Sequence, residues 1–516
     1  MQLDNEGLSL WFGTPDTPCP GDTVPAGAEI PITIAVHPGD RSNKVEVLYR
    51  VNKGSDEKVT ATWWRNDASA NVQYFRARLP AHLAGDTVEY IPVCRRAGRM
   101  VPSEDDIERV RSSFHVAGAT IETPGTALSG RAEPAAGTDV ERAAPIQTKR
   151  LVGYFPAWGI HAHNYHVTDI PAGQLSHVIY AFADVTAAGD CVSVNAQDDQ
   201  INFPQLLELK EMYPQLPMLL SVGGATHSAN FAAISATAAG RVHFAQSCVQ
   251  FMKQHAFDGI DIDWEYPARK DSQNFTALLQ ELRGQLDVQG GADGRHYLLT
   301  IAAPAGPGNF ANLELALIHP LLDWINLMSY NFHSVSSRVT NLDAPLFAPS
   351  DSPTAAHDRA RCVDAAVKSY RAAGVPADKI VVGVRFVGTG WEGVGPANNG
   401  LYQSDTGPAK GTWDVSGAAP SGSFGYQDIE QHYRAIYTRC WHSEAKVPWL
   451  YNAATGIMIS YEDPQSLTCK ADYVLSNNLG GVMIWELSTD DGQHGLFNAI
   501  AAALGQTTCF EVATAA

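Results

Sequence analysis

No stretch of this 516-residue chain comes near the roughly 18 consecutive apolar residues that a membrane-spanning helix needs, so none is expected. Positive charge is also scarce: 36 Lys and Arg stand against 55 Asp and Glu, a net charge of −19. That balance disfavours a nucleic-acid partner, which needs a basic face to neutralise phosphate. There is no G-K-[ST] phosphate loop and no H-E-x-x-H zinc motif. Met1-Gln2-Leu3-Asp4 has neither the basic nor the apolar region of a signal peptide, which implies a mature form or another route of export. Cysteine is sparse, eight in all, and Cys19 and Cys94 are alone in the first 150 residues. A disulfide between them would suit an extracellular module, buried thiols being the alternative. Pairing among Cys191, Cys248, Cys362, Cys440, Cys469 and Cys509 cannot be deduced.

What is present is the balance of a folded chain, 45 % apolar and 18 % charged, long enough for two or three domains. Residues 1–118 read as short strands: Ile30–Val36, Val45–Val51, Val59–Trp64, Val72–Leu79, Thr87–Val93 and Ser113–Val116. Six such strands in so short a span predict an all-β sandwich of immunoglobulin or fibronectin-III type, an accessory module without a catalytic signal. Trp63, Trp64, Tyr74 and Phe75 could form a sugar-stacking strip on it or belong to its core. Residues 119–148, rich in Ala, Gly, Thr and Pro without apolar periodicity, read as a linker.

From 149 to 507 apolar strands alternate with helical stretches. Strand candidates cover 151–157, 175–183, 216–222, 257–265, 297–303, 324–330, 379–387 and 480–487, with helices such as Arg241 to His255 and Gln273 to Leu286 between them. Repeated β/α units predict an α/β fold, a parallel TIM (β/α)8 barrel whose chemistry sits at the C-terminal ends of its strands. The last two strands are separated by a surplus, 392–460, read as a small α+β insertion that includes a helix Tyr426 to Trp441.

The informative stretch is Phe257-Asp258-Gly259-Ile260-Asp261-Ile262-Asp263-Trp264-Glu265-Tyr266-Pro267. Alternate strand residues share a face, so Asp261, Asp263 and Glu265 project together, roughly 7 Å apart along the backbone. Apolar Ile260, Ile262 and Trp264 fill the other face, so the acidic side is an inner wall and not a solvated one. Carboxyls crowded there repel one another, and one must keep a proton near neutral pH, the condition for a general acid. Asp258 has the opposite parity and a structural role.

D-x-x-D-x-D-x-E followed by Tyr-Pro resembles the signature of glycoside hydrolase family eighteen, the chitinases. Similarity extends over about 151–500. Gly153-Tyr154-Phe155, Ser221-Val222-Gly223-Gly224, Met328-Ser329-Tyr330 and Gly480-Gly481-Val482-Met483-Ile484-Trp485 resemble the family's first, third, sixth and eighth strands. The long seventh-to-eighth connection matches the insertion domain of one bacterial branch. The resemblance implies that Glu265 protonates the glycosidic oxygen and then activates water, while the substrate's own N-acetyl oxygen attacks the anomeric carbon with retention. Asp263 would orient that acetamido group, Asp261 would share a proton with Asp263, and Tyr330 would bond the acetamido oxygen. Tyr154 and Ser221 would support Asp261, and Trp485 would floor the sugar. Phe182, Gly224, Tyr266, Met328, Asn331 and Trp391 join Tyr154 and Trp485 as implied substrate contacts. The implied protein is a secreted monomer acting on chitin and chito-oligosaccharides, without cofactor or metal.

The chain departs from the pattern at Asn331, where many members have Asp, and at Ala225, where many have Trp. Arg385-Phe386-Val387-Gly388-Thr389-Gly390-Trp391 replaces P-F-Y-G-R-x-W, so Val387 and Thr389 stand for a Tyr and an Arg. Gly388 to Gly393 also matches G-x-G-x-x-G, but Val394 to Gly400 cannot open the helix a dinucleotide site requires. Two rivals share the fold: an endo-β-N-acetylglucosaminidase on N-glycans, which Trp264 and the insertion disfavour, and a chitin-binding lectin, which intact Glu265, Asp263 and Tyr330 disfavour.

Overall fold

The computed structural model describes residues 149–505 and, of residues 2–117, all but 6, 15, 16, 18, 21, 22, 26–29, 41, 68–70, 81, 97 and 105. The expected linker at 119–148 and Cys509 lie outside the described residues. The described chain falls into two compact units, one within Met1–Pro145 and one within Ile146–Val512.

The first unit is all β. Its strands are β1 (Gln2–Asn5), β2 (Leu8–Trp11), β3 (Thr23–Pro25), β4 (Ile30–His37), β5 (Lys44–Val51), β6 (Glu57–Thr60), β7 (Thr62–Asp67), β8 (Val72–Leu79), β9 (Thr87–Arg96), β10 (Arg99–Val101) and β11 (Ser112–Ala117). They form two sheets, ordered β1-β2-β4-β8-β7 and β3-β11-β9-β5-β6 with β10 on β9. Alternate apolar residues of both sheets, among them Leu10, Ile32, Phe75, Val47, Tyr90 and Phe114, meet in one core. The single strand expected over Val59–Trp64 is two, because the chain crosses from one sheet to the other at buried Ala61. Of the aromatics read as either surface strip or core, Tyr74 and Phe75 are buried and Trp63 packs on the core.

The expected disulfide is absent: Cys19 and Cys94 are free thiols. The Cys19 side chain is hydrogen-bonded to that of Tyr90. Tyr90 lies four residues along β9 from Cys94, about 13 Å of strand, beyond disulfide reach.

The second unit is a closed parallel barrel of β12 (Arg150–Pro156), β13 (His177–Val185), β15 (Met218–Gly223), β16 (Gly259–Asp263), β17 (Leu298–Pro304), β18 (Trp324–Met328), β19 (Ile380–Arg385) and β26 (Gly481–Trp485), with β14 (Cys191–Ser193) added antiparallel to β13. Closure is direct, since β12 pairs with both β13 and β26. Helices Ala196–Met212, Ala238–Gln254, Ser272–Asp293, Val363–Ala372, Pro464–Ser476 and Gly495–Ala503 belong to this unit. Outward residues such as Leu220, Ile260, Ile262 and Ile325 join the helices in one large core. Inward residues such as Tyr154, Ile179, Leu219, Trp324 and Met483 fill the barrel.

Immediately after β19 the chain turns into a second antiparallel sheet, β20 (Val387–Glu392), β21 (Gly407–Pro408), β22 (Ser423–Gly425), β23 (Thr438–His442), β24 (Val447–Asn452) and β25 (Ile457–Ser460). The insertion thus begins at Val387, earlier than the expected 392. The helix expected over Tyr426 to Trp441 stops at Tyr433, because Thr438 to His442 pairs with β24 as a hairpin. Trp391 is fully buried among Leu342, Leu401, Trp449 and Met458 in this insertion. It serves the insertion core and not the groove, which corrects its expected role as a substrate contact.

Candidate active site

The acidic row sits at the C-terminal end of β16. The outward residues behave as alternation requires: Ile260 and Ile262 are fully buried, and Trp264 stacks on Phe231 at 5.4 Å. Inward, Asp261 is fully buried and accepts four hydrogen bonds. They come from Tyr154 Oη at 2.9 Å, Ser221 Oγ at 2.7 Å, Thr300 Oγ1 at 2.6 Å and Asn326 Nδ2 at 3.3 Å. Burial raises the Asp261 carboxyl, and these four donors pull it back toward the ionised form. Thr300 and Asn326 are polar residues inside otherwise apolar strands, a signal readable in sequence.

Asp263 is the opposite case. It is 4 % exposed, and its Oδ1 has no hydrogen-bond partner. Burial, then the charges of Glu265 and Asp261, push its carboxyl well above the ordinary value. Of the two buried aspartates, Asp263 is thus driven further toward its protonated form than Asp261. Glu265 stands just past the strand end, half-buried, with its carboxyl raised by burial and hydrogen-bonded to the Tyr266 side chain. Its backbone N–H donates to Ser228 Oγ at 2.9 Å, and Ser228 in turn donates to Gly224 O at 2.8 Å. Ser228 thus ties the acid to the loop after β15, a tie no motif announced.

Asp258 accepts from the Met218 N–H at 2.9 Å and pairs with Lys210 and Arg295, a structural anchor beneath the strand. Tyr330, past the end of β18, has its hydroxyl held neutral by burial and by the charges of Asp263 and Glu265, which it faces. Met328 joins it inside the barrel.

Trp485 ends β26. Tyr154 meets it edge-on at 5.6 Å, and Phe182 stacks on it at 5.7 Å with 23° between planes. Trp158, 38 % exposed, leans on Phe182 at 6.1 Å and on Trp485 at 6.3 Å and extends the aromatic wall, which the motifs did not indicate. Gly224 admits this packing: a Cβ there would lie 2.7 Å from the Phe182 ring, at φ +86°. Asn331, also at positive φ, is exposed, and its Oδ1 accepts from Arg385 Nη1 at 2.6 Å. Ala225 is exposed and adds no aromatic surface.

A parallel eight-stranded barrel whose C-terminal face sets such an acid row beside an aromatic floor is the architecture of a glycoside hydrolase family. Residues 150–490 match glycosyl hydrolases family 18, and the chain belongs to that family. It is 38 % identical over 400 residues to Chitinase A1 of Niallia circulans, covering 66 % of this chain and 56 % of that one. It thus spans just over half the length of that relative. Chitinase 1 of Aphanocladium album is 36 % identical, with 65 % and 80 % covered. Among solved structures, chitinase ChiA74 from Bacillus thuringiensis matches with a TM-score of 0.66 at 34 % identity, covering 71 % of each chain.

Proposed function

We propose that this protein is a secreted, monomeric chitinase that hydrolyses β-1,4 bonds between N-acetylglucosamine units with retention, residues 149–507 being the catalytic part. One observation carries the reading: of two neighbouring buried aspartates, Asp261 is held by four donors while Asp263 Oδ1 has none. A carboxylic group left unpartnered in a groove awaits a donor from the substrate, and the acetamido N–H of an N-acetyl sugar is such a donor. Glu265 hands its proton to the glycosidic oxygen as the C–O bond breaks. The acetamido oxygen forms a bond to the anomeric carbon, and Asp263 stabilises the positive charge that develops on the nitrogen. Glu265, now a carboxylate, takes a proton from water, which opens the oxazolinium from the same face. Tyr330 donates to the acetamido oxygen, and Trp485 packs on the pyranose C–H face. Relatives named chitinases support the substrate class. The β-sandwich serves as an accessory module.

Nuclear magnetic resonance of fresh products from defined chitin oligomers tests this. The β-anomer is expected first, and fully deacetylated oligomers should resist, having no carbonyl oxygen to attack. Early α-anomer would rule out the mechanism, and release from N-glycoproteins but not from chitin oligomers would move the substrate to the rival class.

A further inference from the structure

Arg385 is the last residue of β19 and lies in register with Trp485 across the ladder, beside the aromatic floor. Its side chain is 13 % exposed, so most of the guanidinium is withdrawn from water. Nη1 donates to Asn331 Oδ1 at 2.6 Å and to Thr389 Oγ1 at 3.3 Å. Behind it stands buried Asp343, whose Oδ1 is 3.9 Å from Nη1 and accepts from Thr389 Oγ1 at 2.8 Å. The Asn331 backbone N–H reaches Asp343 Oδ2 at 3.5 Å. The four residues thus form one connected corner, spanning 54 residues from Asn331 to Arg385.

An arginine held for structure alone would set its short hydrogen bonds on the carboxylate. Here the short bond goes to the neutral amide of exposed Asn331, and the carboxylate stays at 3.9 Å. A guanidinium carries five donors and no acceptor, so the amide opposite it must present its oxygen. That orientation leaves Asn331 Nδ2, a donor, as the free end. We propose that Arg385 is a positioning and specificity residue of this site: it locks the Asn331 amide with its N–H2 toward the groove and makes that corner a donor to sugar oxygens. The inference rests on the glycosidase reading above. An Asp at 331 could only accept, so the amide gives this corner the opposite polarity.

The arrangement also changes what a carboxylate at 331 would do. An Asp there would meet the Arg385 guanidinium directly, and the pair would be nearly neutral toward Glu265 and Tyr330.

The test compares the full-length wild type with Arg385→Gln, Arg385→Lys, Asn331→Asp and the Arg385→Gln/Asn331→Asp pair. Binding of chitin oligomers is followed by tryptophan fluorescence, cleavage by the pH profile of kcat/KM, and folding by melting. Arg385→Gln should weaken oligomer binding about 10–100-fold, the range of a lost charge-assisted hydrogen bond together with a freed amide. Lysine should recover only part of the loss, since its ammonium lacks the fork. Asn331→Asp should leave the basic limb nearly in place when Arg385 is present. With Arg385→Gln it should raise that limb by about one unit, because the new charge is then uncompensated. Arg385→Gln or Arg385→Lys binding as tightly as the wild type, or equal limb shifts in both backgrounds, would overturn the proposal. A wild type that binds oligomers without cutting them would sink the glycosidase reading instead, and the binding comparison would still judge Arg385.

Discussion

Thr300 Oγ1 donates to Asp261 Oδ1 at 2.6 Å from the neighbouring strand, the shortest of the four bonds that hold this carboxylate. Each donor favours the charged form, so removing one must raise the Asp261 pKa. If activity requires charged Asp261 and protonated Asp263, it falls when acid protonates Asp261. Thr300→Val should therefore move the acidic limb of kcat/KM toward higher pH, by some tenths of a unit to about one unit. The measurement is a pH series on one soluble oligomer. A limb that stays put would mean that Asp261 does not govern it.

In the proposed mechanism Glu265 meets the leaving oxygen; its carboxyl is raised by burial and its backbone pinned by Ser228. Glu265→Gln should keep the fold and oligomer binding while turnover drops about 10²–10⁴-fold, the range for a lost general acid. Cleavage within a few-fold of the wild type would mean the acid is misassigned.

Much of the acid row was legible because a strand has a period of two: one face of 257–265 was apolar and the other acidic, and Asp258 fell out by parity alone. The eight barrel strands were legible for the same kind of reason, as apolar runs at regular intervals. What was illegible depends on contacts distant in sequence. Trp391 reads as a groove aromatic beside a strand end, yet the insertion folds over it. Tyr426 to Trp441 has helical residues, but the hairpin with β24 claims the last four. Cys19 and Cys94 look like a pair by elimination, while strand geometry places Cys19 against Tyr90. The Asn331–Arg385 bond crosses 54 residues and has no local signature.

Glu486 follows Trp485 and is 4 % exposed, with Oε1 accepting from Ser488 Oγ at 2.7 Å and His163 3.5 Å away. Burial pushes its carboxyl from 4.5 up to about 7, with Ser488 and Arg385 opposing. His163 is driven the other way by burial, to about 4, so it stays neutral over most of that window. A raised folded pKa means the folded state keeps a proton that the unfolded chain has lost. The stability this contributes is fully present below the unfolded value of 4.5 and is lost as pH rises to about 7. Glutamine cannot ionise, so Glu486→Gln should gain on the wild type across that window, by about 3 kcal/mol, and run parallel to it above. Melting curves of both proteins from pH 4.5 to 8 check this. A constant gap would mean that Glu486 is charged throughout.

Gly224 and Phe182 set the position of the floor. A Cβ on residue 224 would come within 2.7 Å of Phe182 Cε2 and 2.8 Å of Cζ, and φ is +86°. The ring stacks on Trp485, so it has no free space behind it. Gly224→Ala should cost about 1–2 kcal/mol of stability from the left-handed backbone and the clash. It should also tilt Phe182 into Trp485 and lower kcat/KM about 10–100-fold, mostly through KM, if the floor binds the sugar as proposed. Phe182→Leu removes the atoms that collide. If the clash is the cause, Gly224→Ala/Phe182→Leu should be more active than the sum of the single losses predicts, with a coupling of about 1 kcal/mol or more. Additive losses would assign the glycine to its backbone conformation alone, since relieving the ring would then leave the strain at φ +86° untouched.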